Sequence, residues 1–122
     1  VEWHPNLSFS DKVKFFRDLT VFSVPATYGE AFGLYVIESI ASGVPVVQPH
    51  HAAFPELIQA TGGGVLCPPD DVKALADALE ALLQNGQQRE KLITTGMARV
   101  RSEFPAVRMA ERFEQVLLST RA

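Results

Sequence analysis

Residues 20–47 read TVFSVPATYGEAFGLYVIESIASGVPVV, and this stretch decides the fold class. The β-branched run Thr20–Val24 is closed by Pro25, which is typical of a short strand. After a loop, Gly33 opens a helical stretch that Ser42-Gly43 ends. The apolar run Val44–Val47 then predicts a strand buried on both faces, with its proline at the start because proline cannot donate to a sheet ladder. This order of elements predicts a parallel pair of strands joined by a helix.

The sequence on both sides extends this pattern. Ser8 can cap a helix that begins near Ser10 and runs to about Leu19, burying Val13 and Phe16. Beyond residue 47 we expect a short helix at 55–59, a strand at 65–66, a helix that starts at 68–70 and is stopped by Gly86, and helices at 87–103 and 106–119. The predicted fold class is α/β: a Rossmann-like three-layer domain with a short, mainly parallel sheet of three or four strands and a helical C-terminal tail.

Composition excludes several classes of function. The chain has 122 residues, 47% of them hydrophobic and 20% charged, which predicts one globular domain. Its 11 basic and 14 acidic residues give a net charge of −3, and this argues against a nucleic-acid partner, which needs a basic face. No apolar run approaches the roughly 18–20 residues of a membrane span. The single cysteine, Cys67, excludes an internal disulfide and fits a reducing, cytoplasmic compartment.

The loop and helix of residues 26–41 carry the chemical signal. Ligands of open α/β sheets bind at the carboxyl ends of the strands, and a helix that begins there offers free N–H groups to a phosphate. Gly33 has no side chain, so an anion can approach its backbone closely. Glu38 falls on a helix face with Leu34, Ile37 and Ala41, where an unpaired carboxylate is costly. It therefore either pairs with a basic group or accepts hydrogen bonds from ligand hydroxyls.

Both acidic residues also have ordinary structural interpretations, which stay open at this point. Glu30, taken alone, is best explained as an acid near the first turn of a helix, where the helix dipole favours it. Glu38 could equally form a salt bridge with an arginine of the C-terminal helices. The basic residues Lys12, Lys14 and Arg17 are interpreted as the solvated face of the first helix.

The motifs together resemble a known family. Glu30, Phe32-Gly33-Leu34, Glu38 and the segment Ala41-Ser42-Gly43-Val44-Pro45-Val46-Val47 resemble the retaining glycosyltransferases of family 4, which have the two-domain GT-B fold. The resemblance extends from about Leu7 to the end of the chain, since residues 64–70 also look like a later strand and helix start of that family.

The resemblance implies a role for each motif residue. Glu38 would hold the ribose hydroxyls of a nucleoside-diphosphate-sugar donor, and Glu30, the catalytic residue, would lie beside the transferred sugar to orient it or stabilise charge. Backbone N–H groups around Phe32, Gly33 and Leu34 would face the donor sugar and its diphosphate. The leaving nucleoside diphosphate is then stabilised electrostatically, so we expect no cofactor and no required metal.

The same resemblance predicts that residues 1–122 are part of a C-terminal, nucleotide-sugar-binding domain, lacking the N-terminal domain and the first strands of their own. The intact enzyme would move a hexosyl unit to an acceptor sugar, lipid or small molecule held mostly by the missing domain, and could be peripheral to the membrane. The fragment alone is expected to be inactive, and could form a homo-oligomer. The arginine and lysine that the family usually directs at the diphosphate lie upstream of Val1 and are not assigned, and Ala52-Ala53 replaces a frequent glycine pair.

Two other classes of function remain as alternatives. A non-catalytic nucleotide-sugar-binding or interaction module could keep the same fold, and the upstream basic pair would discriminate it from an enzyme. An unrelated doubly wound domain of the response-regulator type would carry clustered acids at its strand ends. The strand that ends at Val24-Pro25 carries none.

Overall fold

The computed structural model describes residues 1–120, so the last two residues of the predicted domain, Arg121 and Ala122, lie outside the described part. The elements, in chain order, are α1 (Phe9–Arg17), α2 (Leu34–Ala41), β1 (Val46–Pro49), α3 (Phe54–Thr61), β2 (Gly64–Cys67), α4 (Val72–Gln84), α5 (Gly86–Glu103) and α6 (Ala106–Ser119). The α/β class and the helical C-terminal part are confirmed. Ser8 caps α1 as predicted, its Oγ accepting from the N–H of Asp11 at 3.2 Å.

The sheet is smaller than the sequence predicts. Strands β1 and β2 pair in parallel, with Val46 opposite Gly64 and Pro49 opposite Cys67. The expected strand at residues 20–24 is wrong in extent, because within residues 1–120 it makes a single parallel bridge, Phe22 to Val46.

The side chain of Gln48 explains why this ladder stops. The N–H of Phe22 donates to Pro45, and the N–H of Val47 donates to Phe22. The next N–H, that of Val24, donates instead to Oε1 of the fully buried Gln48 at 2.9 Å. A side-chain amide thus takes the place of the backbone acceptor that would have continued the strand.

Alternate residues of β1 face two apolar clusters, which gives the predicted three layers. On the side of Val46 lie α2 and α3, and on the side of Val47 lies α4, while α5 contributes Val100 to the first side and Leu92 to the second. The first cluster contains Ala26, Val36, Ile37, Ile40, Val46, Phe54, Leu57, Ile58 and Val100. The second contains Val47, Cys67 and Leu82, with half-buried residues of α4 and α5 around them.

The helix phases differ from the sequence prediction at two places. In α2 the buried residues are Val36, Ile37, Ser39 and Ile40, whereas the predicted face residues Leu34 and Ala41 are exposed. In α4 the helical spacing of the apolar residues predicts one apolar face, but three of them, Val72, Ala76 and Leu83, are exposed. Gly86 does not stop α4 as predicted but begins α5, because Asn85 both ends α4 and caps α5 through Oδ1.

Helix α5 packs closely against Gly63, just before β2, and against Ile40 of α2. A Cβ placed on the buried Gly96 would lie 2.7 Å from Cα of Gly63 and 2.6 Å from Cγ2 of Ile40. Real carbon atoms do not approach so closely, so only glycine fits at this crossing. The same contact fixes the position of α2, on which the candidate site depends.

Candidate functional site

The site lies at the carboxyl edge of the sheet. Strand β1 ends at Pro49 and β2 ends at Cys67, and both residues line a cleft of about 270 Å³ together with Pro25 and Thr27. The loop that leaves the bridge at Phe22 crosses this edge and leads to the N-terminus of α2. This is the position at which open α/β sheets bind their ligands, although Glu30, Gly33 and Glu38 do not line this cleft.

The carboxylate of Glu30 is held by three hydrogen bonds at the start of α2. Its Oε1 accepts from the backbone N–H groups of Phe32 at 3.1 Å and Gly33 at 3.0 Å. Its Oε2 accepts from the hydroxyl of Tyr35 at 2.9 Å. The backbone carbonyl of Glu30 also accepts from the N–H of Ala53, next to α3, at 3.2 Å. Both the side chain and the main chain of Glu30 are therefore fixed.

These hydrogen bonds shift two titrations in opposite directions. The backbone N–H of Phe32, followed by the Tyr35 hydroxyl, lowers the pKa of Glu30 from its ordinary value. Burial, followed by the hydrogen bond to Glu30, raises the pKa of Tyr35. At neutral pH the pair is a carboxylate that accepts from a neutral phenol.

Gly33 shapes the turn between Glu30 and the helix. It has φ of +81°, the left-handed region that glycine occupies without strain. A Cβ there would lie 3.1 Å from Cδ1 of Leu57 on α3. The structure thus gives this glycine a conformational reason and a packing reason, besides the open approach for an anion that the sequence suggests. Its neighbours Phe32 and Leu34 are exposed at 46% and 64%.

Two N–H groups remain free at the N-terminus of α2. Those of Phe32 and Gly33 are engaged by Glu30, whereas those of Leu34 and Tyr35 have no hydrogen-bond partner among residues 1–120. Free N–H groups at a helix start, together with the helix dipole, favour an anion. That Phe32, Gly33 and Leu34 face a donor stays a prediction.

Glu38 is paired with Lys12. Its Oε1 accepts from Nζ of Lys12 at 2.7 Å, and both side chains are 37% exposed. A salt bridge was one of the two interpretations of Glu38, but its partner lies on α1 and not on the C-terminal helices. Lys12, predicted on the solvated face of α1, is partly exposed but is engaged in this pair. Lys12 lies four residues before the buried Phe16 and therefore on the same face of α1, which could have indicated a contact with the rest of the domain.

Tyr35 is the second site residue that sequence reasoning missed. Its spacing of five residues from Glu30 is no motif, and the ring looks like an ordinary core aromatic. The structure places the ring between Phe22 and Phe54, with centroid distances of 6.2 and 6.5 Å.

Three other features would bear on function: a metal site, a reactive cysteine and a membrane-spanning helix. Within residues 1–120, no three His, Cys, Asp or Glu side chains are grouped so that they could hold a metal ion. Cys67 is buried, and burial raises its pKa. Among the same residues, no helix is long and apolar enough to cross a bilayer.

The family described as Glycosyl transferases group 1 matches residues 1–99. The chain belongs to the group 1 glycosyltransferases. The resemblance drawn from Glu30, Phe32-Gly33-Leu34 and Glu38 is thereby confirmed at the level of the family. Among curated relatives, phosphatidyl-myo-inositol mannosyltransferase of Mycobacterium leprae is 40% identical over 85 residues, which cover 70% of this chain and 23% of that protein. The chain spans about a quarter of the length of the curated relatives it matches.

Solved glycosyltransferase structures share the fold. Anabaena Alr3699/HepE in complex with UDP and glucose superposes with a TM-score of 0.80 at 21% identity, covering 89% of this chain and 30% of that one. The C-terminal domain of a glycosyl transferase group 1 family protein (LpcC) from Francisella tularensis gives a TM-score of 0.70 at 24% identity, covering 87% of this chain and 53% of that one. The fold is that of a GT-B C-terminal domain.

Proposed function

We propose that this chain is the donor-binding domain of an enzyme that transfers a hexosyl unit from a nucleoside diphosphate to an acceptor, with retention of anomeric configuration. The observation that carries the proposal is the fixed carboxylate of Glu30 at the start of α2, beside free backbone N–H groups and in the same helix region as Glu38. The family membership and a neighbour that binds UDP and glucose support it.

Glu30 acts in this proposal as an oriented anion. Its lowered pKa and its three donors make it a weak base at neutral pH, so it does not serve to remove a proton from an acceptor. A fixed carboxylate beside the transferred sugar can accept a hydrogen bond from a sugar hydroxyl. It can also stabilise positive charge that develops at the anomeric carbon as the bond to the leaving diphosphate breaks.

The diphosphate lies, in this proposal, at the N-terminus of α2. The N–H groups of Leu34 and Tyr35 point out of the helix end and the dipole adds partial positive charge. Because these N–H groups and the helix dipole would stabilise the negative charge of the diphosphate, transfer is proposed to need no metal. Treatment of the intact enzyme with EDTA should leave its rate unchanged, and a loss restored by a divalent cation would contradict this part of the proposal.

Glu38 binds the ribose hydroxyls by exchanging partners. An ion pair with both members 37% exposed contributes about 0.2–1 kcal/mol, so a ligand with two hydroxyls can replace it at small cost. Lys12 is then released next to the bound nucleotide. In this proposal the carboxylate of Glu38, which is 37% exposed, can be reached by the ribose before the nucleotide binds.

The test is nucleoside diphosphate binding by the intact enzyme, measured by calorimetry with UDP and GDP. Glu38→Gln should weaken binding by about ten- to a hundredfold, as expected for a lost charge-assisted pair of hydrogen bonds. A 2′,3′-dideoxynucleoside diphosphate should bind wild type and Glu38→Gln equally, because it lacks the hydroxyls that Glu38 accepts from.

The matched control is Glu80→Gln, the same chemical change at an exposed residue of α4. It should leave binding unchanged. If Glu38→Gln weakened binding of the dideoxynucleoside diphosphate as much as binding of UDP or GDP, Glu38 would have a structural role, and the ribose contact would be contradicted. Binding without any turnover of nucleoside-diphosphate sugars would favour a non-catalytic module.

The proposal extends to the location of the intact enzyme and to its acceptor. The intact enzyme would be cytoplasmic and peripheral to the membrane, as the phosphatidyl-myo-inositol mannosyltransferase relatives suggest for an acceptor in a lipid. The acceptor would be held mostly by a domain outside residues 1–122. These residues alone are proposed to transfer nothing and could associate as a homo-oligomer.

A further inference from the structure

Tyr35 has a contact that its place in the core does not require. The ring is half-buried and lies between Phe22, which it meets edge-on, and Phe54, to which it is tilted; a phenylalanine could pack there equally well. The hydroxyl nevertheless reaches Oε2 of Glu30 at 2.9 Å, across five residues of sequence. This contact is directed at the carboxylate of the candidate site.

The two oxygens of Glu30 are held in different ways. Oε1 is held by N–H groups two and three residues further along the same loop, so these contacts move with the loop. Oε2 is held by a side chain of α2, whose ring is clamped against α3 through Phe54. Only the second contact ties the plane of the carboxylate to the helical layer.

The number of donors decides what Glu30 can still do. An ionised carboxylate has about four acceptor positions. Three of them are taken by Phe32, Gly33 and Tyr35. About one position therefore remains for a ligand hydroxyl, and its direction is set by the donors that hold the other three.

We propose that Tyr35 is a positioning residue that fixes the carboxylate of Glu30, through its hydroxyl on Oε2, so that its remaining acceptor position is directed at the transferred sugar. This inference rests on the proposed function. The side chain of Tyr35 touches no reacting atom and acts only through Glu30, whereas its backbone N–H is unaffected by a change of side chain. Its effect belongs to the transfer step and not to the binding of the nucleotide, which lies at Glu38 and the helix N-terminus.

The experiment is steady-state transfer by the intact enzyme carrying Tyr35→Phe, with nucleoside diphosphate affinity measured in parallel. The kcat should fall by at least about tenfold, because the rate of transfer falls steeply when a catalytic group is displaced. KM for the donor and the affinity for the free nucleoside diphosphate should stay within about twofold. Because phenylalanine keeps the ring between its neighbours, the melting temperature reports whether the fold has changed.

A double-mutant cycle with Glu30→Gln separates positioning from structure. If Tyr35 acts through Glu30, the double variant should be no slower than Glu30→Gln alone. Additive losses, or a Tyr35→Phe enzyme with wild-type kcat, would overturn the inference. The control Ser102→Ala removes an exposed hydroxyl of α5 that donates to Arg99 within the same helix, and should leave kcat unchanged.

The proposed function fails separately, since it requires transfer by the wild-type enzyme. A wild type that transfers nothing from any nucleoside-diphosphate sugar contradicts that function. A wild type that transfers, with Tyr35→Phe equally fast, contradicts the role of Tyr35 alone.

Discussion

Replacing Gly33 by alanine tests how the start of α2 is built. The residue has φ of +81°, where a side chain costs roughly 1–2 kcal/mol. The new Cβ would lie 3.1 Å from Cδ1 of Leu57, which adds about 1 kcal/mol if the leucine has to shift. The smaller freedom of the unfolded alanine chain offsets about 0.5–1 kcal/mol. The free energy of unfolding should therefore fall by about 1–2 kcal/mol.

The assay is urea unfolding, supported by a melting curve in which this loss corresponds to about 4–8 °C for a domain of this size. Gly29→Ala is the matched control in the same loop. Its Cβ would meet nothing within 4 Å, and its φ is not positive, so the change should stay within about 0.5 kcal/mol. Equal stability of the two variants would refute the assigned geometry of Gly33.

Three further predictions concern the packing, the salt bridge and the carboxylate. Gly96→Ala should lower the free energy of unfolding by about 2 kcal/mol or more, because its Cβ would lie 2.7 Å from Cα of Gly63; an unchanged urea midpoint would refute the crossing. Lys12→Met should change that free energy by no more than about 1 kcal/mol, since the pair is exposed, and a larger loss would show a buried contact. The pKa of Glu30 in the fold is lowered from 4.5, so its stabilisation is complete above pH 4.5 and is lost as pH falls through the folded pKa. The melting-temperature gap between wild type and Glu30→Gln should therefore shrink below pH 4.5, and a constant gap would contradict the shift.

Local signals in the sequence predict most of the helices. The cap at Ser8, the glycine before α2 and the proline before α6 place helix starts within about two residues, because caps act through neighbouring backbone groups. The phase of α2 was not predictable in the same way. Its sequence LYVIESIA is apolar on several sides, and the polar Ser39 is buried because its Oγ donates to the carbonyl of Val44.

Long-range contacts account for the rest. The strand at residues 20–24 is lost because Gln48, 24 residues away from Val24, supplies the acceptor, and no local pattern encodes this. In the site, Glu30 and Gly33 before α2 and Glu38 within it follow from motif spacing. The partners of those acids, Lys12 and Tyr35, depend on how α1 and α3 pack around α2, and this is set only in the folded chain.

In the proposed function, Glu30 takes part in transfer from a nucleoside-diphosphate sugar. The direct measurement is release of nucleoside diphosphate by the intact enzyme over a panel of nucleoside-diphosphate hexoses, for wild type and Glu30→Gln, with donor affinity measured alongside. We expect turnover of at least one donor by the wild type, and a loss of about a hundredfold or more in kcat for Glu30→Gln with donor affinity nearly unchanged. Turnover by Glu30→Gln at the wild-type rate would contradict the account.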